Sequence, residues 1–539
     1  MDQLQPAPEA VLRQALQYHQ AGMFTEAEAL YRRVLAAQPG WADAHINLAM
    51  LLLFRGDLNS AALSCRQGLA LQPNHARGHC YLGDIHAAQN RPDEAVASYG
   101  HALALKPDYA EAHNSLGNVL FRLGKSDDAV RAYRSAIACK PAFAEAHNNL
   151  GCILLRQGNF AESEDHLQQA VAIKPNYAQA HYNLGALLGQ QGKLDQAEHH
   201  CRQAVALQPN QAEAHNNLGL VLQKQGHLGD AEASFRQALA LKPGFLEAGQ
   251  HLGVALCEAD RLAEGFDVFN ALARRRYGGA AADPDAIPHK QRHDEEQRAW
   301  LGESGGFHLG DGSRMAGPAV NPQNRIAEIS ALWRSAQPQI VVIDELLTRP
   351  ALEKLRRFCL DSTVWRQVYE GGYLGAFPEH GFAPPLLAQV AEELRTTYPA
   401  IIEDHPLLRF WAFKYDSSLH GINKHADFAA VNVNFWITPD EANLDPEHGG
   451  LVVWDKAAPQ DWDFARYNAA EADICAFLEE QNSRPVSVPY RANRAVIFDS
   501  DLFHETDAIR FKPGYENRRI NITLLFGRRQ ARKGNERGG

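Results

Sequence analysis

Seven prolines, Pro39, Pro73, Pro107, Pro141, Pro175, Pro209 and Pro243, follow one another at intervals of 34 residues. No other feature narrows the fold of this chain as far, because a fixed period of that length marks a repeat architecture. Around each proline the same pattern returns. Residues 142–175 carry an apolar-periodic stretch through Ala146, Leu150 and Leu154, then Gly158-Asn159, then a second stretch through Leu167, Ala170 and Ile173. Two helices joined by a turn satisfy this pattern. The closing proline ends the second helix, since its ring cannot continue one. A single pair buries one face only by stacking on its neighbours, so the pairs build a solenoid.

Small residues recur where helices must approach, as Gly83, Gly117, Gly151, Gly185, Gly219 and Gly253. The pattern resembles tetratricopeptide (TPR) repeats over roughly residues 5–277, which predicts an all-α TPR solenoid of eight repeats over 1–277. His45, His79, His113, His147, His181 and His215 share one repeat position, where the family usually carries a large aromatic. Neighbours one repeat apart are too distant to ligate one metal, so these histidines read as packing residues. Asn47, Asn149, Asn183 and Asn217 share another position. Similar ladders line the repeat groove of O-linked N-acetylglucosamine transferases and hold a peptide backbone there. An amide offers both donor and acceptor, which suits that task. Tyr81, Ser115 and His251 break the ladder. A peptide groove and a purely structural or dimerising groove are both open.

A chain of 539 residues exceeds one compact domain. Its net charge of −11 argues against nucleic acid or anionic membrane as the main partner. The N-terminus lacks a basic and apolar leader pattern, and no apolar stretch is long enough to cross a bilayer. The eight cysteines form no CxxC and read as reduced packing residues of a cytoplasmic protein. Residues 278–337 read as a linker and capping segment. Within it His289–Leu301 predicts a short charged helix whose His293-Asp294-Glu295 triplet, set among Lys290, Arg292, Glu296 and Arg298, reads as a solvated face. Residues 303–324 predict loop. The basic run at 529–539 reads as a solvated tail.

From Gln339 the period changes to short strand-like runs: Leu408–Tyr415, Val431–Thr438, Leu451–Trp454, Val486–Tyr490, Arg494–Phe498 and Arg519–Phe526. Helical patterns fall at 349–361 and 384–397. Many short strands at this spacing predict a sandwich or barrel. Here lie His425-Ala426-Asp427 and, 77 residues beyond Asp427, His504. Two imidazoles and one carboxylate on one face of a metal leave three positions open, an arrangement suited to Fe(II). In the last strand Arg519, Asn521 and Thr523 alternate with Ile520, Ile522 and Leu524. A buried guanidinium needs an anionic partner, and a dicarboxylate cosubstrate would supply one in bidentate geometry. Alternation alone leaves Arg518 as the other choice.

The order Tyr415, His425-Ala426-Asp427, Gly449-Gly450, His504, Arg519 resembles the 2-oxoglutarate/Fe(II) oxygenases of the prolyl-hydroxylase-like group over about residues 338–528. The resemblance implies a double-stranded β-helix (jelly roll) with flanking helices. It implies Fe(II) on His425, Asp427 and His504, and 2-oxoglutarate bound through Arg519 and Asn521 with Tyr415 in contact. Asn434, on the same side as Asn432 and Trp436, would line the pocket. Asn521 stands where serine is commoner, and the stretch 451–493 is long; it reads as a substrate lid or as a packed surface excursion. The expected activity is hydroxylation of a protein or peptide recruited by the repeats. The alternatives are a small-molecule oxygenase, or a TPR scaffold protein with a non-catalytic jelly roll.

Overall fold

A computed structural model describes residues 8–278, 287–302, 306–402, 404–419 and 424–529. Most of the expected 278–288 linker, Gly421 ahead of His425, and the basic tail from Gln530 onward lie outside the described residues. The chain forms two compact units, Met1–Val221 and Leu222–Gly539.

Through Tyr277 the described residues form sixteen helices in eight pairs, from Pro8–Gln20 with Phe24–Ala37 to Leu246–Glu258 with Leu262–Tyr277. The turn inside each pair needs one left-handed residue. Glycine supplies it in six repeats, and Asn90 (φ 57°) and Asp260 (φ 62°) supply it in the other two. The pairs that carry Gly83, Gly117, Gly151, Gly185 and Gly253 close by a tight approach: a Cβ on Gly117 would stand 2.6 Å from the Tyr133 ring.

The six repeat histidines of the first unit have one job in common. In each, Nε2 lies 2.8–3.0 Å from the carbonyl oxygen of the proline six residues earlier, and so donates to it. That contact ties the start of one helix pair to the end of the previous one, which makes the position structural. The ladder asparagines are also engaged. Asn149 Nδ2 donates to Asn114 and Asn118, and Asn183 Nδ2 donates to Asn148 at 2.8 Å. Asn47 and Asn183 are buried, whereas Asn149 and Asn217 are half-buried.

Among the described residues the second unit holds twelve strands: β1 (Ile340–Ile343), β2 (Gln367–Tyr369), β3 (Tyr373–Ala376), β4 (Leu407–Tyr415), β5 (Ser418–Leu419), β6 (Ala429–Trp436), β7 (Leu451–Ala457), β8 (Pro485–Val488), β9 (Ala495–Asp499), β10 (Leu502–Thr506), β11 (Ile509–Arg510) and β12 (Ile520–Arg528). All pairings are antiparallel. A seven-stranded sheet runs β1-β9-β6-β12-β4-β3-β2, a three-stranded sheet runs β10-β7-β8, and β11 pairs with β5. Alternation divides the large sheet into two faces. Ile520, Ile522 and Leu524 join Val431, Val433 and Phe435 under helices Arg349–Asp361 and Pro385–Thr397, through Leu355, Phe358, Leu387 and Val390. On the other face Tyr415, Trp436, Val496 and Phe498 meet Leu451, Val453 and Val488 of the small sheet.

One expectation shifts and one open alternative resolves. The compact units divide at Val221/Leu222, inside the repeat array, and the last repeat, which ends at Tyr277, shares the β-domain's core: Phe266 stacks on Phe410 at 4.5 Å. The helix expected at His289–Leu301 runs Pro288–Leu301, but it is not solvated all round. His293 is fully buried against Tyr515, and Gln297 donates to the Tyr515 hydroxyl and to Ser362 O. The stretch 451–493 packs as an excursion, with helices Phe464–Ala469 and Glu471–Glu480 placing Tyr467, Ile474 and Leu478 against Val452, Trp454 and Phe503 on the outer face of the small sheet.

Candidate metal centre

His425 sits in the segment between β5 and β6, and His504 sits on β10. The two exchange both backbone hydrogen bonds, His425 N to His504 O at 3.0 Å and His504 N to His425 O at 2.8 Å. That pairing sets the imidazoles side by side, with ring centroids 4.3 Å apart. Asp427 is aimed by its own backbone bond to Ser500 O at 3.1 Å, and its Oδ2 lies 3.5 Å from His504 Nε2. One donor atom from each of the three residues lies within 4.8 Å of the others. The excursion braces this segment: Ala426 N donates to Tyr467 O, and Asn468 Nδ2 donates to Ala426 O.

The donor set suits a divalent cation. His504 Nδ1 lies 3.1 Å from Leu502 O, which fixes a proton there and leaves Nε2 a lone pair toward Asp427. Asn432 Nδ2 donates to Asp427 Oδ2 at 2.7 Å. Burial raises the Asp427 carboxyl above its ordinary range, opposed by His425 and Asn432, and burial holds His504 well below the usual imidazole value. Both shifts express the cost of charge in a dry site, which a bound cation would reverse for the carboxylate. Adjacent ligand atoms on one ion stand about 3 Å apart, and the 3.5 Å between Asp427 Oδ2 and His504 Nε2 is near that spacing.

Arg519, at the head of β12, is fully buried. Its Nε donates to Gly449 O at 2.7 Å and its Nη2 to Gly450 O at 3.1 Å, while Nη1 has no hydrogen-bond partner. The guanidinium lies 4.7 Å from the Tyr415 ring centroid and 5.7 Å from that of Trp436. Burial lowers its pKa, with Tyr415 and Tyr490 opposing. No carboxylate pairs with Arg519 among the described residues. Arg518 is different: it faces the helices and pairs with Glu296 at 2.9 Å and Asp416 at 3.3 Å. The alternation therefore resolves in favour of Arg519 as the inward arginine.

The other candidates share the inward face. The Tyr415 hydroxyl lies 3.3 Å from Thr506 Oγ1, two residues after His504. Asn521 Nδ2 donates to Asn434 Oδ1 at 3.0 Å, and Asn434 Nδ2 donates to Thr523 Oγ1 at 3.1 Å. Asn47, Asn149, Asn183 and Asn217 lie in the other unit. One residue escapes the sequence reading as functional, and the role of Gly450 becomes visible only in the fold. Asn432 orients Asp427, and the alternation that puts it beside Asn434 and Trp436 on β6 was the available signal. Gly450 lets the strand after Arg519's acceptors close, since a Cβ there would stand 1.8 Å from Val488 O.

Family models for the tetratricopeptide repeat match residues 18–80, 114–178, 176–243 and 216–285, and a TPR repeat model matches 83–124. Tetratricopeptide repeats thus run across residues 18–285. Among solved structures, the APC/C hetero-tetramer Cut9-Hcn1 is similar at 20% identity and a TM-score of 0.41, over 45% of this chain and 48% of that one. This chain therefore spans about half the length of that relative. PilF of Pseudomonas aeruginosa is similar at 21% identity and a TM-score of 0.37, over 38% of this chain and 94% of that one. YrrB, described as a TPR protein with an unusual peptide-binding site, is similar at 21% identity and a TM-score of 0.31, over 35% and 96%. No curated protein matches the chain. No described helix is long and apolar enough to cross a membrane.

Proposed function

We infer that the C-terminal region is a jelly-roll oxygenase dependent on Fe(II) and 2-oxoglutarate, which hydroxylates a polypeptide. The tetratricopeptide repeats support a protein-interaction or scaffold role, and a polypeptide substrate follows from carrying them on the same chain. The observation that carries the enzymatic reading is a single constellation. Two imidazoles and a carboxylate from segments 77 residues apart converge in a buried site, and the same interior holds a buried arginine with an open Nη1. The strand order favours the jelly roll as well: β4, β12, β6 and β9 stand together in one sheet, opposite β8, β7 and β10.

His425, Asp427 and His504 would hold Fe(II) on one face, and Arg519 would bind the distal carboxylate of 2-oxoglutarate. Bound there, the metal and cosubstrate would, with dioxygen as the co-reactant and 2-oxoglutarate leaving as succinate and carbon dioxide, supply an oxidant able to exchange a C–H hydrogen for hydroxyl. The chain's own part is placement and exclusion of water. Asn432 holds Asp427 in its rotamer, and Leu502 O fixes the tautomer of His504. Tyr415 and Trp436 present ring faces to the guanidinium, keeping it desolvated and open to one anionic partner. Gly449 O and Gly450 O engage two of its nitrogens, Nε and Nη2, which orients the third, Nη1.

Succinate release is the test. The full chain supplied with Fe(II), ascorbate and 2-oxoglutarate is expected to release succinate, more so with a peptide pool than with metabolites. His425→Ala should abolish the release, and Arg519→Leu should chiefly raise the 2-oxoglutarate concentration needed. Release that survives both substitutions would overturn the site.

A further inference from the structure

The large sheet continues its inward face past the metal centre toward the last repeat. Asn432 pairs with Leu525, and Leu525 pairs with Arg409, so the three share one row on that face. The next row is Asn434, Thr523 and Trp411. Arg409 thus stands two strands from the residue that orients Asp427, about 10 Å away at the usual strand spacing. There the sheet meets helices Leu246–Glu258 and Leu262–Tyr277 around a cavity of about 330 Å³. Phe428, the neighbour of Asp427, lines it, and so do Phe269, Phe377, Val254 and Trp411. His251 lines it too, from the repeat position of the asparagine ladder.

The cavity's charges are separated. Arg409 is exposed, has no carboxylate within ion-pair distance among the described residues, and acts electrostatically on His251 and Cys257. Glu379 also lines the cavity but acts on Tyr277 and Tyr369. Burial and Arg409 push His251 down to about 4, so at neutral pH Arg409 is a cation of the lining. Arg409 and Glu379 thus line one cavity without forming an ion pair, together with aromatic side chains.

We propose that this cavity anchors the polypeptide substrate by an aromatic or long apolar side chain flanked by one acidic and one basic residue, with the acidic residue at Arg409. This rests on the oxygenase reading for its meaning, though binding can be measured without metal. The interval of about 10 Å from Arg409 to Asn432, the residue that orients Asp427, corresponds to about three residues of extended chain, so the anchor would sit at least about three positions from the oxidised residue. The mixed lining is what such a segment needs. The aromatic floor takes apolar area, and the two separated charges reject a segment of single sign.

Fluorescence anisotropy on the metal-free full chain tests this with labelled, end-capped peptides containing Glu-Phe-Lys, Lys-Phe-Glu, Glu-Phe-Glu, Lys-Phe-Lys or Glu-Ala-Lys. At least one zwitterionic Phe peptide is expected to bind about fivefold more tightly than either single-sign peptide, and more tightly than the Ala control. Arg409→Glu, an exposed substitution, should make Lys-Phe-Lys the best binder. Equal binding of all five, or an order unmoved by Arg409→Glu, overturns the anchor. Such a failure leaves succinate release intact, whereas anchor binding without succinate release would sink the oxygenase reading alone.

Discussion

Asn432 shows how much of the site depends on a residue that touches no expected ligand except a carboxylate. Its amide donates to Asp427 Oδ2, and it is fully buried. Asn432→Ala is expected to lower Fe(II) affinity about 10- to 100-fold in an equilibrium titration, with little change in the far-UV spectrum. Unchanged affinity would remove Asn432 from the site. Lys414 is the converse case, a fully buried amine on the helix-facing side of β4 whose pKa burial holds well below the usual lysine value, whose Nζ has no hydrogen-bond partner and which lies 3.3 Å from the Tyr515 ring centroid. Lys414→Met should raise the stability in urea by about 1 kcal/mol or more, since an apolar isostere removes a desolvated amine; a loss of stability would show that the ring contact outweighs that cost. At this scale the sequence offered the three candidate ligands through the His-x-Asp pair and one distant histidine, while alternation left Arg518 and Arg519 both open until the ion pairs of Arg518 separated them. It concealed His293, because the charged neighbours of that helix dominate its composition while the buried stripe is only His293 and Gln297.

Elements in the first unit are set by the repeat, and their tolerances follow. Gly117→Ala forces a Cβ into the Tyr133 ring, and the repeat should lose about 1–3 kcal/mol in chemical unfolding; no loss would mean the helix pair can slide. The same unit carries a pH dependence. His181 Nδ1 and His200 Nδ1 lie 2.9 Å apart, and burial together with His181 and His199 pushes His200 down to about 4 from 6.5. The folded state therefore binds fewer protons than the unfolded chain between those values. Stability should be fully present above pH 6.5 and fall as the pH drops toward 4, read from the urea midpoint, and His200→Gln should flatten that fall. The repeats were legible because one motif is printed eight times. The short β2, β3, β5 and β11 were not, since two to four residues carry no readable alternation and pair only through the sheet built around them.

Across the whole molecule, the fold reads more easily from the sequence than the substrate does. Periods of 34 and of two residues give the helical and the sheet regions, and the last repeat contributes Leu262, Phe266 and Phe269 to the β-domain core. The excursion at 451–493 was open between lid and packing because its aromatics fit both. Its contacts with Ala426 make it a brace for the ligand segment. The claim on which the rest depends is that His425, Asp427 and His504 hold a ferrous ion whose remaining positions accept 2-oxoglutarate beside Arg519. Anaerobic visible spectroscopy of the full chain reads this directly. Adding Fe(II) and 2-oxoglutarate together should produce a weak charge-transfer band, absent with either alone and lost in folded His504→Ala. A folded protein that gives no band with both present would contradict the metal centre and leave a repeat-based interaction protein.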